Sequence, residues 1–401
     1  MIATSNRILD QINQGEQILA TLPVKGNSLL SGKLGRVLYL AYNYKLLGNE
    51  ENIETAVSYL DEIFGYLREA GPEAMQELPW ILPALCRVID VLNDDQIIDM
   101  EIDAQDFLVF DETIFKSIKV FIANYNIDFL YGASGSLNYL IKRMDRNPVI
   151  KEYIAILFDL LLGKRIEDEK GIRFINAHMS KHSKSEDIDF GLAHGQCGLI
   201  LTLLNIYETG LLQEPIKELV TGMLKYILPF KQLPQPESGM YSYFPMGVNE
   251  SLERTDPKNL AKYNNRMGWC YGDLNIALML YKAARILDLP ELSVLANEVG
   301  LDTCKRLTTE NSGIENAHLC HGSTSMVLFY DALAAENNLS EYKEARAFWF
   351  RYTQDYLDIE LQKPETNGRA EQLLMGIPGA MLLLLSEELE EQTSWKSLFL
   401  L

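Results

Sequence analysis

The chain has no long apolar run. Its longest runs, such as AMLLLL at 380–385, are far below the ~18 residues of a membrane-spanning helix. The opening MIATSNRILDQINQGEQ has no basic start followed by an apolar stretch, so it is not a secretory signal and a cytoplasmic protein is expected. Basic residues are outnumbered: 36 Lys and Arg face 56 Asp and Glu, a net charge of −20. A field of that sign repels phosphate backbones and anionic lipid, which argues against nucleic acid as a partner. Cysteine is scarce and odd in number, with Cys86, Cys197, Cys270, Cys304 and Cys320 scattered along 401 residues. A chain of this length needs no disulfide staples, so these read as reduced thiols, some of them candidate ligands. What remains is an ordinary globular balance, 47% hydrophobic and 23% charged, which excludes a mainly disordered chain.

Strand signals are sparse too. Apolar residues recur every three or four positions in 53–68, 151–162, 215–228, 276–288 and 343–357, so the chain reads as nearly all α. A short element recurs: Gly, two residues, a small residue, then an apolar helical run. It appears at Gly32–Gly35, Gly132–Gly135, Gly195–Gly198 and Gly376–Gly379, with looser copies at Gly272–Asn275 and Gly322–Ser325. The gap between Gly32 and Gly132 is about twice the shortest spacing. A degenerate copy is expected within it, and Pro79–Val91 fits with its glycines lost. Seven units of about 50 residues each hold two helices at ~1.5 Å rise per residue. Neither the first nor the last unit looks like the polar cap of an open solenoid. The expected fold is a closed α/α toroid: inner helices start at the glycine elements, outer helices lie between, and residues 1–401 form one domain. Length alone would suggest two or three domains. Two stretches break the rhythm: the acidic run 93–112, and 229–265, rich in Pro, Gly, Asn and Tyr. Both are expected to be insertions or loops; the first reads as a solvated face and the second as a candidate lid.

In a ring of equivalent hairpins, equivalent positions form a circle around the axis. The residues just before each first Gly are Ser31, Tyr131, His194, Tyr271, His321 and Met375; those before them are Leu30, Leu130, Ala193, Cys270, Cys320 and Leu374. Cys270, Cys320, His321 and His194 should therefore meet in one central cavity at helix N-termini, where the dipole favours a thiolate. Two Cys and one His with an open fourth position make the ligand set of a catalytic zinc site. Cys86, Cys197 and Cys304 read as core or surface thiols. His178, His182 and His318 lie outside the register; His182 reads as exposed and His318 as a candidate neighbour of the ligands.

Trp269-Cys270-Tyr271-Gly272, Cys320-His321-Gly322, Ala193-His194-Gly195-Gln196-Cys197-Gly198, and Asp128 four residues before Gly132 together carry a family resemblance. The chain resembles the lanthionine synthetase C-like family, the cyclases of lanthipeptide biosynthesis. The glycine elements spread that resemblance over nearly the whole chain. It implies a double-layered α/α toroid with seven inner helices. It implies one zinc ion per chain on Cys270, Cys320 and His321, and catalytic roles for His194, Asp128, Arg266 and Tyr271. Asn275 and Ser325 depart from the small-residue pattern, at positions that touch packing more than chemistry.

The family reaction adds a peptide Cys thiol to dehydroalanine or dehydrobutyrine in the same peptide, giving a (methyl)lanthionine thioether ring. His194 is the first candidate proton donor. Asp128 would hold its tautomer or take the thiol proton, Arg266 would stabilise an enolate or pair with Asp128, and Tyr271 would donate a hydrogen bond or simply pack. The implied partners are a dehydrated precursor peptide, with a dehydratase and a transporter as further candidates. Zinc prenyltransferases share the toroid but include a carboxylate in their ligand set; toroidal glycosidases need paired carboxylates, which the register lacks. A non-cyclising relative that binds thiols such as glutathione, or acts as a partner in a modification complex, is the alternative reading.

Overall fold

The computed structural model describes residues 2–69, 72–100, 104–177, 187–363, 369–389 and 393–401. Among them are fourteen long helices. In chain order these are α1 (Ile2–Thr21), α2 (Lys33–Leu47), α3 (Glu50–Glu69), α4 (Pro72–Asp94), α5 (Ala104–Ala123), α6 (Ala133–Arg143) and α7 (Val149–Leu162). They continue with α8 (Gln196–Glu208), α9 (Gln213–Ile227), α10 (Asp273–Leu287), α11 (Pro290–Thr303), α12 (Ser323–Glu336), α13 (Ser340–Gln362) and α14 (Ile377–Leu389).

Burial sorts the helices into two layers. The even-numbered helices are enclosed on nearly every side: every residue of α2 from Leu34 to Asn43 is buried, as is α14 from Ile377 to Ser386. The mostly apolar α14 must be covered all round. The odd-numbered helices bury one stripe, such as Ala56, Leu60 and Ile63 in α3 or Leu292, Ala296 and Val299 in α11. That stripe lies against the inner layer while the other faces meet water. Each inner helix packs on the next, α2 through α14, and α14 packs on α2. The ring is closed. The second inner helix, α4, contains Pro79–Val91, the segment read as the degenerate repeat.

The seventh outer position is filled from the other end of the sequence. Helix α1 packs on α13 and α14. Arg7 reaches Asp355 and Asp358 at 2.7 Å each, and Gln11 donates to the carbonyl of Gln354 at 2.8 Å.

Of the acidic run 93–112, residues 104–112 belong to α5 rather than to a loop. Ile114, Ile118 and Ile122 are buried along that helix, and this apolar stripe carries the acidic stretch before it into helical form. The stretch 229–265 holds four single-turn 3-10 helices and two strands, β4 (Pro245–Val248) and β5 (Ala261–Tyr263). These follow a hairpin of β1 (Ile166–Asp168) and β2 (Gly171–Arg173) and a short β3 (Ile188–Asp189). β3, β4 and β5 form an antiparallel sheet with Ile188 opposite Val248 and Asp189 opposite Gly247. The sheet leads straight into the loop that carries His194.

A buried ion pair ties this segment to the ring. Arg306 Nη1 lies 2.6 Å from Asp273 Oδ2, both side chains almost fully enclosed. Asp273 also accepts the backbone N–H groups of Tyr243 and Phe244, while Arg306 donates to the carbonyls of Asn311 and Asn265. Every charge is met, and removing one partner strands the other. Arg306→Ala is expected to lower the unfolding free energy by about 3–5 kcal/mol, read from denaturant melts.

Candidate active site

Six of the seven inner helices begin directly after the first Gly of a glycine element, or after Gly376 in the last. The fourth position of each element lies against the loop that precedes it. A Cβ on Gly135 or Gly198 would collide with the carbonyl of Phe129 or Leu192. Asn275 stands in that position by another route: its side chain accepts the Leu192 N–H at 3.1 Å and donates to the Gly268 carbonyl at 3.0 Å. Ser325 donates to the Gly322 carbonyl. Gly272 has φ +119°, a conformation that favours glycine and turns the chain sharply after Tyr271.

The six loops are joined to one another by backbone hydrogen bonds. Leu374 N–H donates to Leu30, Cys320 to Leu374, Trp269 to Cys320, Ala193 to Cys270, and Phe129 to Ala193, all between 2.8 and 3.2 Å. The register read from the sequence is thus a physical arc.

On this arc Cys270, Cys320 and His321 come together, with one potential ligand atom from each within 4.8 Å of the others. The two Sγ atoms are 2.7 Å apart and Cys320 Sγ is 3.5 Å from His321 Nε2. Both thiols are nearly enclosed and His321 is partly exposed. Cys320 is pulled down to about 6 by the Cys270 hydrogen bond and by His321 and His194, against burial. Cys270 is pushed up by sharing its hydrogen bond with Cys320 and by burial. The shared hydrogen bond thus favours the thiolate on Cys320 and the thiol on Cys270. By contrast, burial pushes the Cys86 and Cys197 thiols far up, and Cys304 to about 12, so these three stay neutral.

His194, about one-fifth exposed, places Nδ1 at 2.7 Å from Asp128 Oδ2. Asp128 is fully buried and accepts three further bonds, from the N–H groups of Leu130 and Tyr131 and from Asn176. Burial disfavours the Asp128 charge, but His194, Tyr131 and Asn176 outweigh it and hold the carboxyl below its ordinary value. Burial likewise works against a charged His194, and Asp128 overrides it, so the imidazole is raised.

Arg266 stands beside Tyr271. Burial raises the Tyr271 phenol while the charge and hydrogen bond of Arg266 oppose that shift. The Tyr271 ring lies 5.3 Å from that of His321. Asp128 is committed to His194, and no Asp128–Arg266 ion pair forms among the described residues. His318 pairs with Glu360 of α13 at 3.5 Å. His178 and His182 lie outside the described residues.

Three residues had no sequence signal. Asn176 donates both to Asp128 and to the His194 carbonyl at 2.7 Å, fixing the dyad from the side. Gly313, at φ +67°, leaves room for the Arg266 backbone, where a Cβ would crowd its Cα. Asp189, at the end of β3, takes the Gly191 N–H at 2.7 Å and is pushed up to about 6 by burial. None sits in a recognisable spacing.

The family sequence model described as "Lanthionine synthetase C-like protein" matches residues 23–400. The chain belongs to the lanthionine synthetase C-like family. Among solved structures it is similar to a nisin cyclase, with a TM-score of 0.69 at 16% identity; the match covers 100% of this chain and 98% of that one. At that identity the likeness speaks for the fold, an all-α toroid. No curated protein matches the chain by sequence. No helix among the described residues is long and apolar enough to cross a membrane.

Proposed function

We propose that this lanthionine synthetase C-like protein is a zinc-dependent cyclase that adds a peptide Cys thiol to dehydroalanine or dehydrobutyrine, forming (methyl)lanthionine rings. The observation that carries the reading is the convergence of Cys270, Cys320 and His321 with the His194–Asp128 pair on one arc of loops. Two thiols and an imidazole suit zinc by softness, and three protein donors leave a position open, as catalytic zinc sites require. When bound, zinc would supply a thiolate from the peptide cysteine at neutral pH.

The remaining chemistry falls to the chain's own residues. As the S–Cβ bond forms, the π pair of the dehydro residue moves onto the neighbouring carbonyl as an enolate. Arg266 and Tyr271 supply a cation and a phenolic O–H to that oxygen. Asp128 takes Nδ1 of His194, so proton exchange with the substrate runs through Nε2. His194 gives its proton to the α-carbon, and the proton lost by the substrate thiol restores it. Because the substrate must already have lost water from Ser or Thr, a dehydratase is the partner expected upstream and a transporter the one downstream. The test is direct: the purified, zinc-loaded protein is incubated with a dehydrated, Cys-containing peptide, and free thiol is followed with mass unchanged. Loss of the thiol at constant mass supports cyclisation; a persistent thiol refutes it.

A further inference from the structure

The arc of loops is not a full circle. It runs from Leu30 through Leu374, Cys320, Cys270 and Ala193 to Phe129, and no backbone bond joins Phe129 back to Leu30. The missing member is the second repeat, whose glycines are lost. In its place α4 runs unbroken through Pro79 and Pro83. A cavity of about 100 Å³ fills the break. Its walls are Leu29 and Leu30 of the first loop, Trp80 of α4, Phe129 of the third loop, and Leu398 and Phe399 from the last turn of chain. Arg87 closes the base with its donors turned to the carbonyls of Asn138 and Ser397, so no bare charge faces the space. Trp80 and Tyr131 at the rim are each more than one-third exposed.

We propose that this break is a specificity pocket for one apolar side chain, aromatic or branched, of the peptide substrate. The inference rests on the cyclase reading. It is carried by continuity with the reacting centre. Phe129 directly follows Asp128, the partner of His194, and its ring packs edge-on against Trp269 at 6.1 Å, next to Cys270. A peptide whose cysteine reaches Cys270 and Cys320 would then have its neighbouring residues within reach of the cavity. An apolar void of about 150 Å³ takes up benzene, and this cavity of about 100 Å³, open at its mouth, is of the same order. A seventh loop like the other six would occupy this place.

The experiment uses the full chain and a synthetic peptide, Ac-Ala-Ser-Ala-Gly-Cys-Ala-NH2, in which Phe replaces Ala or Gly one position at a time. With Ser in place of dehydroalanine the peptide cannot react, so binding is read alone by calorimetry. At one position Phe is expected to bind at least about tenfold more tightly than the parent. Ala84→Phe, which fills the cavity from α4, is expected to erase that preference. Trp80→Ala, at the exposed rim, serves as a second variant and should weaken the preference without threatening the fold. Less than about threefold at every position, or a preference that survives both variants, overturns the proposal. The dehydroalanine versions then separate the two readings. Preference without ring formation sinks the cyclase and keeps the pocket; ring formation without preference does the reverse.

Discussion

Cys320→Ala is expected to lose its metal and at least about a thousandfold in cyclisation rate. The protein should otherwise purify with about one zinc per chain, measured by elemental analysis, and the variant with a small fraction of that. The size follows from what the residue does. Cys320 is the thiol most easily ionised in the cluster, and it touches both Cys270 and His321. Without it two donors remain, Cys270 and His321, too few to hold the ion firmly. A substrate thiol left to its own pKa of about 8.5 is only a few per cent ionised at neutral pH. Several kcal/mol of lost charge stabilisation translates, at about 1.4 kcal/mol per tenfold, into three or more powers of ten. Folding is checked by the thermal melt of the variant. A variant that keeps one equivalent of zinc and its full rate would overturn the ligand assignment.

His194→Ala should cost about 10²–10⁴ in kcat, the range for losing a positioned proton donor. The pH profile makes the prediction sharper. His194 is raised by Asp128 against burial, so the imidazolium persists above the ordinary value of about 6.5. As a donor it must be protonated, and the rate should fall as pH rises through the raised value. Asp128→Asn removes the charge that raises it while keeping the shape. The falling limb should then move to lower pH, with kcat reduced by a similar factor. Stability carries the same sign. The His194 share is full below about 6.5 and is lost as pH climbs through its raised value. The Asp128 share is present above its ordinary value of 3.8 and fades as pH falls through the depressed one. An alkaline limb that does not move in Asp128→Asn would mean that another group sets it.

Much of this architecture is legible in the amino-acid sequence. Glycines that must sit against a carbonyl leave a fixed spacing, so Gly135 and Gly198 announce the inner helices, and the register before them places Cys270, Cys320, His321 and His194 on one arc. What stays hidden has a common cause. Asp273 and Arg306 are 33 residues apart with nothing in their local sequence to mark a buried pair. Asn176 is one more Asn between apolar residues, although it holds Asp128 and the His194 carbonyl together. The segment 229–265 reads as a loop because its strands are short and β4 takes one of its partners, β3, from far upstream. Periodicity reveals repetition; it is blind to contacts made once.

The outer place opposite α14 has a consequence during synthesis. Arg7 meets Asp355 across 348 residues. A ribosome adding about 5–20 residues per second needs roughly 20–70 s to deliver that partner. Throughout that interval α1 lacks α13 and α14, the two helices it packs on, and is held only at its C-terminal end, where Arg36 of α2 donates to the Leu19 carbonyl. The nascent chain passes most of its growth as an unclosed arc, with the apolar stripe of α1 uncovered where α13 and α14 will pack. A chaperone that shields α1 would be most needed then, and a swap with the α1 of a neighbouring nascent chain would be the natural error.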